Sequence, residues 1–291
     1  MKICGFTFVR NAVKFDYPVQ QSISSILPVV DEFVVSVGNS DDSTLQLIES
    51  IGSPKIRIFH SVWDESLKEG GRVLAAETDK ALAHVDPGFD WAFYLQADEV
   101  VHEKDLSNIV QSAEKYLDDK EVEGLLFSYL HFYGTYDFMG DSRRWYGHEI
   151  RMIRNNGNIV SYRDAQGFRT RQNKKLRVKK IDASIYHYGW VRHPHKQLEK
   201  LNSFYTLWNG QDYQAPPIAG EQEFDFFNDV DSLARFGGTH PAVMRERIEE
   251  KNWQVDFDVR RKRFSFRNNI LYRIEKLTGR RLFEYRNYRI I

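Results

Sequence analysis

Over the first 120 residues, apolar runs rich in β-formers alternate with stretches of helical spacing. The runs are "ICGFTFV" (3–9), "EFVVSV" (32–37), "KIRIF" (55–59) and "WAFYL" (91–95). Between them, residues 13–27, "TLQLIESI" (44–51), "GGRVLAAETDKALAHV" (70–85) and "LSNIVQSAEKYL" (106–117) carry the helical pattern. A strand that is to lie parallel to its predecessor needs a crossover, and a helix supplies it. The alternation therefore predicts βαβ units on a mostly parallel sheet flanked by helices, an α/β fold.

After residue 121 the texture changes. "VEGLLFSYLHFYG" (122–134), "HEIRMIRN" (148–155), "NIVSYRD" (158–164) and "IDASIYHYGW" (181–190) read as strands with long connections, and "PHKQLEKLNSFYTLWN" (194–209) as a helix. "QAPPIAG" (214–220) is the best boundary, dividing a domain of 1–213 (halves about 1–120 and 121–213) from a basic, mainly helical C-terminal extension of 214–291. No internal repeat or low-complexity segment interrupts the chain.

Charge and composition narrow the function. Lys plus Arg equals Asp plus Glu at 41 each, which removes the bulk-charge argument for a nucleic-acid partner. The balance is uneven, because residues 251–291 hold twelve Lys or Arg against four Asp or Glu. One cysteine, Cys4, excludes an internal disulfide framework and suits a reducing compartment. No run approaches the roughly 18 apolar residues of a membrane span, so the expectation is a cytoplasmic, soluble protein.

Ligands of an open parallel sheet bind outside the carboxyl ends of its strands. Three loops lie there: "RNA" after the first strand, "GNSDDST" (38–44) after the second and "QADEVVHE" (96–103) after the fourth. No Walker loop and no GxGxxG follows a strand, which argues against a P-loop NTPase and a dinucleotide enzyme. Asp98 and Glu99 follow a buried strand directly. Carboxylates there are expensive unless paired, so a basic partner or a metal must answer them, or they start the next helix. A divalent metal, Mg²⁺ or Mn²⁺, suits oxygen ligands and substrate phosphates.

"FVRNA" (8–12), "VVSVGNSDDST" (34–44), "GGRVLAAETDKAL" (70–82) and "FYLQADEV" (93–100), in that order, resemble family 2 glycosyltransferases, which have the GT-A fold. Val37 and Gly38 stand where the family has paired loop aspartates, and Gln96 replaces the first Asp of its Asp-x-Asp element; Asp98 keeps the second position. The resemblance implies a metal-dependent transferase moving a sugar from a nucleotide-diphosphate donor to a hydroxyl acceptor, a glycan or lipid-linked, with inversion. It implies Asp98, Glu99 and His187 ("IYHYGW", 185–190) at the metal, and Arg10, Asn11, Asp42, Arg72 and Gln96 at the nucleotide sugar. Glu149 would be the base, with Asp141 second.

Other readings stay open. The replaced aspartates motivate a non-catalytic GT-A-like protein that binds nucleotide sugar or glycan. A nucleotidyltransferase shares the sheet and metal logic, but "FVRNAVKF" lacks the glycine-rich loop expected after its first strand. The basic, aromatic tail suits peripheral contact with anionic lipid at the inner membrane face, or a homodimer through Ile270, Leu271, Ile274 and Leu277.

Overall fold

Ile3, Cys4, Phe6 and Val9 are all buried, so β1 (Ile3–Val9) is covered on both faces, as a strand inside a parallel sheet must be. The computed structural model describes residues 1–67, 69–208, 222–228 and 230–291. The chain continues through α1 (Val19–Ile26), β2 (Glu32–Gly38), α2 (Thr44–Glu49), β3 (Ile56–Ser61), α3 (Arg72–Ala83) and β4 (Trp91–Tyr94). β3, β2, β1 and β4 lie side by side and parallel, with Phe6 opposite both Val34 and Tyr94. The two-residue period of a strand sends Phe33, Val35, Trp91 and Phe93 to one layer, against Ile23 of α1. Cys4, Phe6, Val34 and Tyr94 go to the other, against Ala81 of α3.

The second half widens the same sheet. It follows β5 (Glu99–Val101) and α4 (Leu106–Lys115) with β6 (Gly124–Gly140), β7 (His148–Arg154), the separate hairpin of β8 (Ile159–Tyr162) and β9 (Gly167–Thr170), and β10 (Leu176–Val191). β7 runs antiparallel between β4 and β6, and β10 lies parallel to β6. β5 turns back to pair antiparallel with β10, setting Glu99 opposite His187. α5 (Pro194–Trp208) leaves directly from the end of β10.

The proposed boundary at 213/214, with the whole of "QAPPIAG", lies outside the described residues. Beyond it, β11 (Leu233–Arg235) adds to β6, α6 (Arg245–Glu249) and α7 (Phe266–Thr278) follow, and β12 (Tyr288–Ile290) closes the edge beside β10. The C-terminal segment is thus woven into the main sheet. On α7, Ile270 and Leu277 are exposed and Leu271 and Ile274 half-buried. No helix among the described residues is long and apolar enough to cross a membrane.

Local corrections have local causes. The first helix starts at Val19 rather than 13, because Pro18 precedes it and Asn11 and Asp16 turn the chain at φ 57° and 52°. The third helix starts at Arg72, since Gly70 and Gly71 hold φ of 63° and 70°, a conformation glycine adopts without penalty. Glu99 begins a strand, not a helix.

Candidate functional site

A cleft of about 980 Å³ opens at the carboxyl ends of β1 and β4 and is closed on its far side by β10 and α5. Asp98 lies at its floor, and Glu99 points away from it. Both Glu99 oxygens are taken: Oε1 by Arg151 Nη2 and Oε2 by Arg151 Nε, each at 2.7 Å, with the Tyr129 hydroxyl donating to Oε1 at 2.7 Å. Arg151 is fully buried between the rings of Tyr94 and Tyr129, and its Nη1 donates to the Gln166 carbonyl. For this carboxylate the partner is basic, and its coordination is complete.

Asp98 is held less tightly. Its Oδ2 faces Lys200 Nζ at 3.3 Å, and its Oδ1 faces His187 Nε2 at 3.8 Å. Burial alone would raise the carboxyl, but Lys200, His187 and Arg192 outweigh it and hold it at about 2. Lys200 is itself pushed down to about 7 by burial and by Arg192, against the pull of Asp98. Both cations use the Gly189 carbonyl, Lys200 Nζ at 2.8 Å and Arg192 Nη2 at 3.2 Å, and both lie over the Tyr17 ring. A Cβ on Gly189 would stand 2.6 Å from His187 Nε2 and 2.9 Å from Asp98 Oδ2, so glycine keeps this space open.

A second histidine fixes the protonation of His187. Burial drives both His131 and His187 below the usual histidine range, which favours the neutral rings, while Asp98 pulls His187 the other way. His131 Nε2 lies 2.9 Å from the Tyr146 carbonyl oxygen, which can only accept, so the proton sits on Nε2. His131 Nδ1 is then an acceptor, and His187 Nδ1, 3.1 Å away, donates to it. His187 Nε2 is left with a lone pair turned to Asp98.

Arg10 and Asn11 line the opposite wall. Arg10 donates to the Asn39 carbonyl and lies over Trp63, whose indole covers Gly38 so closely that a Cβ there would be 2.4 Å from Nε1. The ring therefore fills the space that a loop aspartate would need. Gln96 also lines the cleft, its amide donating to the Ala165 carbonyl at 3.2 Å. That carbonyl belongs to a turn whose Arg163 and Ala165 have φ of 59° and 64° and which presents Asp164 to the cleft. Burial raises the Asp164 carboxyl against the pull of Arg163. Non-glycine residues in this region store strain, a feature that concentrates at functional sites.

Other expected residues stand elsewhere. Glu149 is buried behind the turn, accepting from Gln166 Nε2 at 3.3 Å and abutting Gly167, and is not among the cleft's lining residues; burial raises it to about 7 against Arg151. Asp141 is tied to Lys262, Lys276 and Tyr272. Asp42 caps Thr44 and accepts from the Lys14 backbone, shaping the loop rather than facing the cleft. Arg72 is exposed at the start of α3 and does not line it. Sequence reasoning missed Lys200, Arg192, Trp63, His131 and Asp164. A signal for Lys200 existed: Gln197, Lys200 and Phe204 share one helical face immediately after a strand end, and all three line the cleft.

The donors present allow a test of the divalent cation that the resemblance implies. Glu99 has no free oxygen, and among the described residues no three His, Cys, Asp or Glu side chains converge as a metal site. Asp98 Oδ1 and His187 Nε2, however, face one another at 3.8 Å, beyond hydrogen-bond reach, and in the neutral tautomer of His187 both present lone pairs that a cation could bridge. Two protein donors with substrate phosphates completing the shell suit Mg²⁺ or Mn²⁺. The pair Asp98 and His187 fits; Glu99 does not.

No family model matches the sequence, and no curated protein matches it. Among solved structures, the S. aureus TarS fragment 1–349 is 13% identical, with 74% of this chain and 67% of that chain covered and a TM-score of 0.39. The same fragment in complex with UDP-GlcNAc gives 13%, 74%, 68% and 0.37 in the same order. This chain spans 39% of the TarS chain in a further structure. Glucosyl-3-phosphoglycerate synthase from Mycobacterium tuberculosis, in complex with Mn²⁺, UDP and phosphoglyceric acid, is 17% identical, covering 45% of this chain and 43% of that one with a TM-score of 0.30. The sheet order β3-β2-β1-β4, its flanking helices and the antiparallel β7 beside β4 give this chain a GT-A-like fold.

Proposed function

We propose that the chain is a glycosyltransferase that moves a sugar from a nucleoside-diphosphate donor to a hydroxyl acceptor. The observation that carries this reading is the meeting of Asp98 and Lys200 in one cleft at the carboxyl ends of parallel strands, with Arg192 buried behind them at the Gly189 carbonyl. Lys200 in the cleft and Arg192 behind it set two basic groups beside the one open carboxylate. Two buried polar atoms of residues lining the cleft, Trp63 Nε1 and Gln197 Oε1, have no hydrogen-bond partner. Buried groups of this kind are costly unless a ligand or water satisfies them.

In the transfer, the acceptor oxygen bonds to the anomeric carbon as the bond from that carbon to the diphosphate oxygen breaks. The electron pair leaves with the diphosphate, and the acceptor's proton passes to a base. Asp164 takes that role in this reading, since it faces the cleft and burial raises its affinity for a proton. A single displacement with one base inverts the anomeric centre. Arg10, Asn11 and Trp63 would bound the nucleotide. Asp98 and His187 would hold Mg²⁺ or Mn²⁺, whose Lewis acidity stabilises charge on a leaving diphosphate. Exposed Phe266, Leu277 and Phe283 among the tail's arginines would suit an acceptor presented at an anionic membrane surface.

The test is release of nucleoside diphosphate from a panel of nucleotide sugars with hydroxyl acceptors. Asp164→Asn is expected to lower turnover at least a hundredfold while donor binding, followed by calorimetry, changes less than about threefold. Donor binding without turnover in the unmodified protein, across the acceptor panel, would favour a binding protein instead.

A further inference from the structure

The two cations beside Asp98 are held in different ways. Arg192 is fully buried and fixed to two carbonyl oxygens, those of Phe15 and Gly189, with one nitrogen unpartnered. Lys200 reaches in from α5 on a flexible four-carbon stem, and its side chain keeps 15% exposure. Its acceptors among the described residues are the Gly189 carbonyl at 2.8 Å and Asp98 Oδ2 at 3.3 Å, a long single contact. The sealed pair next door makes two contacts of 2.7 Å. An ammonium is a compact point charge with three donors and no fixed plane, so it can change partner by rotating its stem.

We propose that Lys200 is an exchangeable counter-ion. It neutralises Asp98 in the free protein, yields that carboxylate to the divalent cation that enters with the donor, and turns its ammonium to the donor's diphosphate. This rests on the reading of the cleft as a nucleoside-diphosphate-sugar site. Two arguments support the exchange. An ammonium and a divalent ion on one carboxylate repel each other over a few ångströms, in a setting where water screens them little. A buried lysine deprived of its carboxylate needs another anion, and the diphosphate is the one the cleft is built to admit. The Gly189 carbonyl accepts from the ammonium itself and keeps it beside the cleft while its other protons change partner, and Arg192 stays behind as the fixed charge.

The proposal makes a crossed prediction that a merely structural lysine does not. The full chain, stripped with chelator, is titrated with MnCl₂ alone, followed by the electron paramagnetic resonance signal of free Mn²⁺. It is then titrated with UDP, GDP, CDP and dTDP in the presence of Mn²⁺ by calorimetry. Lys200→Met is expected to tighten Mn²⁺ binding about tenfold in the absence of nucleotide, because its competitor is gone. The same variant is expected to weaken nucleoside-diphosphate binding about tenfold. Lys200→Arg should restore most of the diphosphate affinity, and Lys200→Gln carries the same expectation as Met should Met fail to fold. Unchanged or weaker Mn²⁺ binding in the variant, or unchanged diphosphate binding, overturns the exchange while leaving the glycosyltransferase reading in place. Failure of the unmodified protein to bind any of the four nucleotides overturns that reading, and the exchange with it.

Discussion

Glu99 and Asp98 are one peptide apart, yet Glu99 is sealed by Arg151 and Tyr129 while Asp98 faces a cleft and a loosely held ammonium. The partners differ as the settings do. A guanidinium offers a rigid fork that satisfies both oxygens of one carboxylate at once, and the pair then has nothing left to bind. A lysine leaves coordination unfinished. The sealed pair joins the start of β5 to β7, and by fixing Glu99 it fixes the carboxylate beside it. One region supplies rigidity, and the other spends it on a ligand.

The largest expected effect falls on the sealed side. Arg151→Met leaves a buried, uncompensated Glu99 and should cost about 3–5 kcal/mol of stability in urea denaturation. Adding Glu99→Leu to Arg151→Met should recover most of that loss. A loss below about 1 kcal/mol in the single variant would mean that Glu99 finds water or another partner, and the contrast would fail.

Next comes Glu149, which shares its strand with Arg151. Its folded value of about 7 lies above the unfolded value of about 4.3. Between these the native state binds more protons than the unfolded chain, so stability falls as pH rises from about 4.3 to about 7. The loss should reach on the order of 3 kcal/mol by pH 8, and Glu149→Gln should remove that slope. An unchanged pH profile in Glu149→Gln would show that the carboxyl is not the group responsible.

The smallest effect is expected on the open side. Lys200→Met should change unfolding stability by less than about 1 kcal/mol, because the contact with Asp98 is long, Arg192 still donates to the Gly189 carbonyl that Lys200 leaves, and the buried ammonium goes with the bonds it made. A loss comparable to that of Arg151→Met would make Lys200 a structural residue and erase the distinction between the two pairs.

How much of this was legible in the sequence follows from the range of each interaction. The alternation that builds β1 to α4 is local, and it placed those elements within a few residues. Asp98 could be read because it follows an apolar strand at the end where ligands bind, and His187 because it stands toward the carboxyl end of β10. Arg151 could have been suspected as the partner of Glu99, since a charge inside "HEIRMIR" that replaces an apolar residue in an alternating strand needs an answer. The depth of Glu149 was not legible: the turn that covers it depends on the positive φ values of Arg163 and Ala165, which no local pattern announces. Trp63 over Gly38 and Lys200 beside Asp98 are contacts across 25 and 102 positions, fixed by the folded sheet and by nothing nearby.

The account depends on Asp98 being the carboxylate that meets the ligand. A crystal of the protein grown with Mn²⁺ and the nucleoside diphosphate that binds best, examined at the manganese absorption edge, tests this directly. The expected map has one anomalous peak within roughly 2.3 Å of both Asp98 and His187, with the Lys200 ammonium turned from Asp98 to a phosphate oxygen. An ion at Glu99 with the Arg151 pair broken, or a bound diphosphate with no ion at Asp98 and Lys200 still in place there, would contradict it.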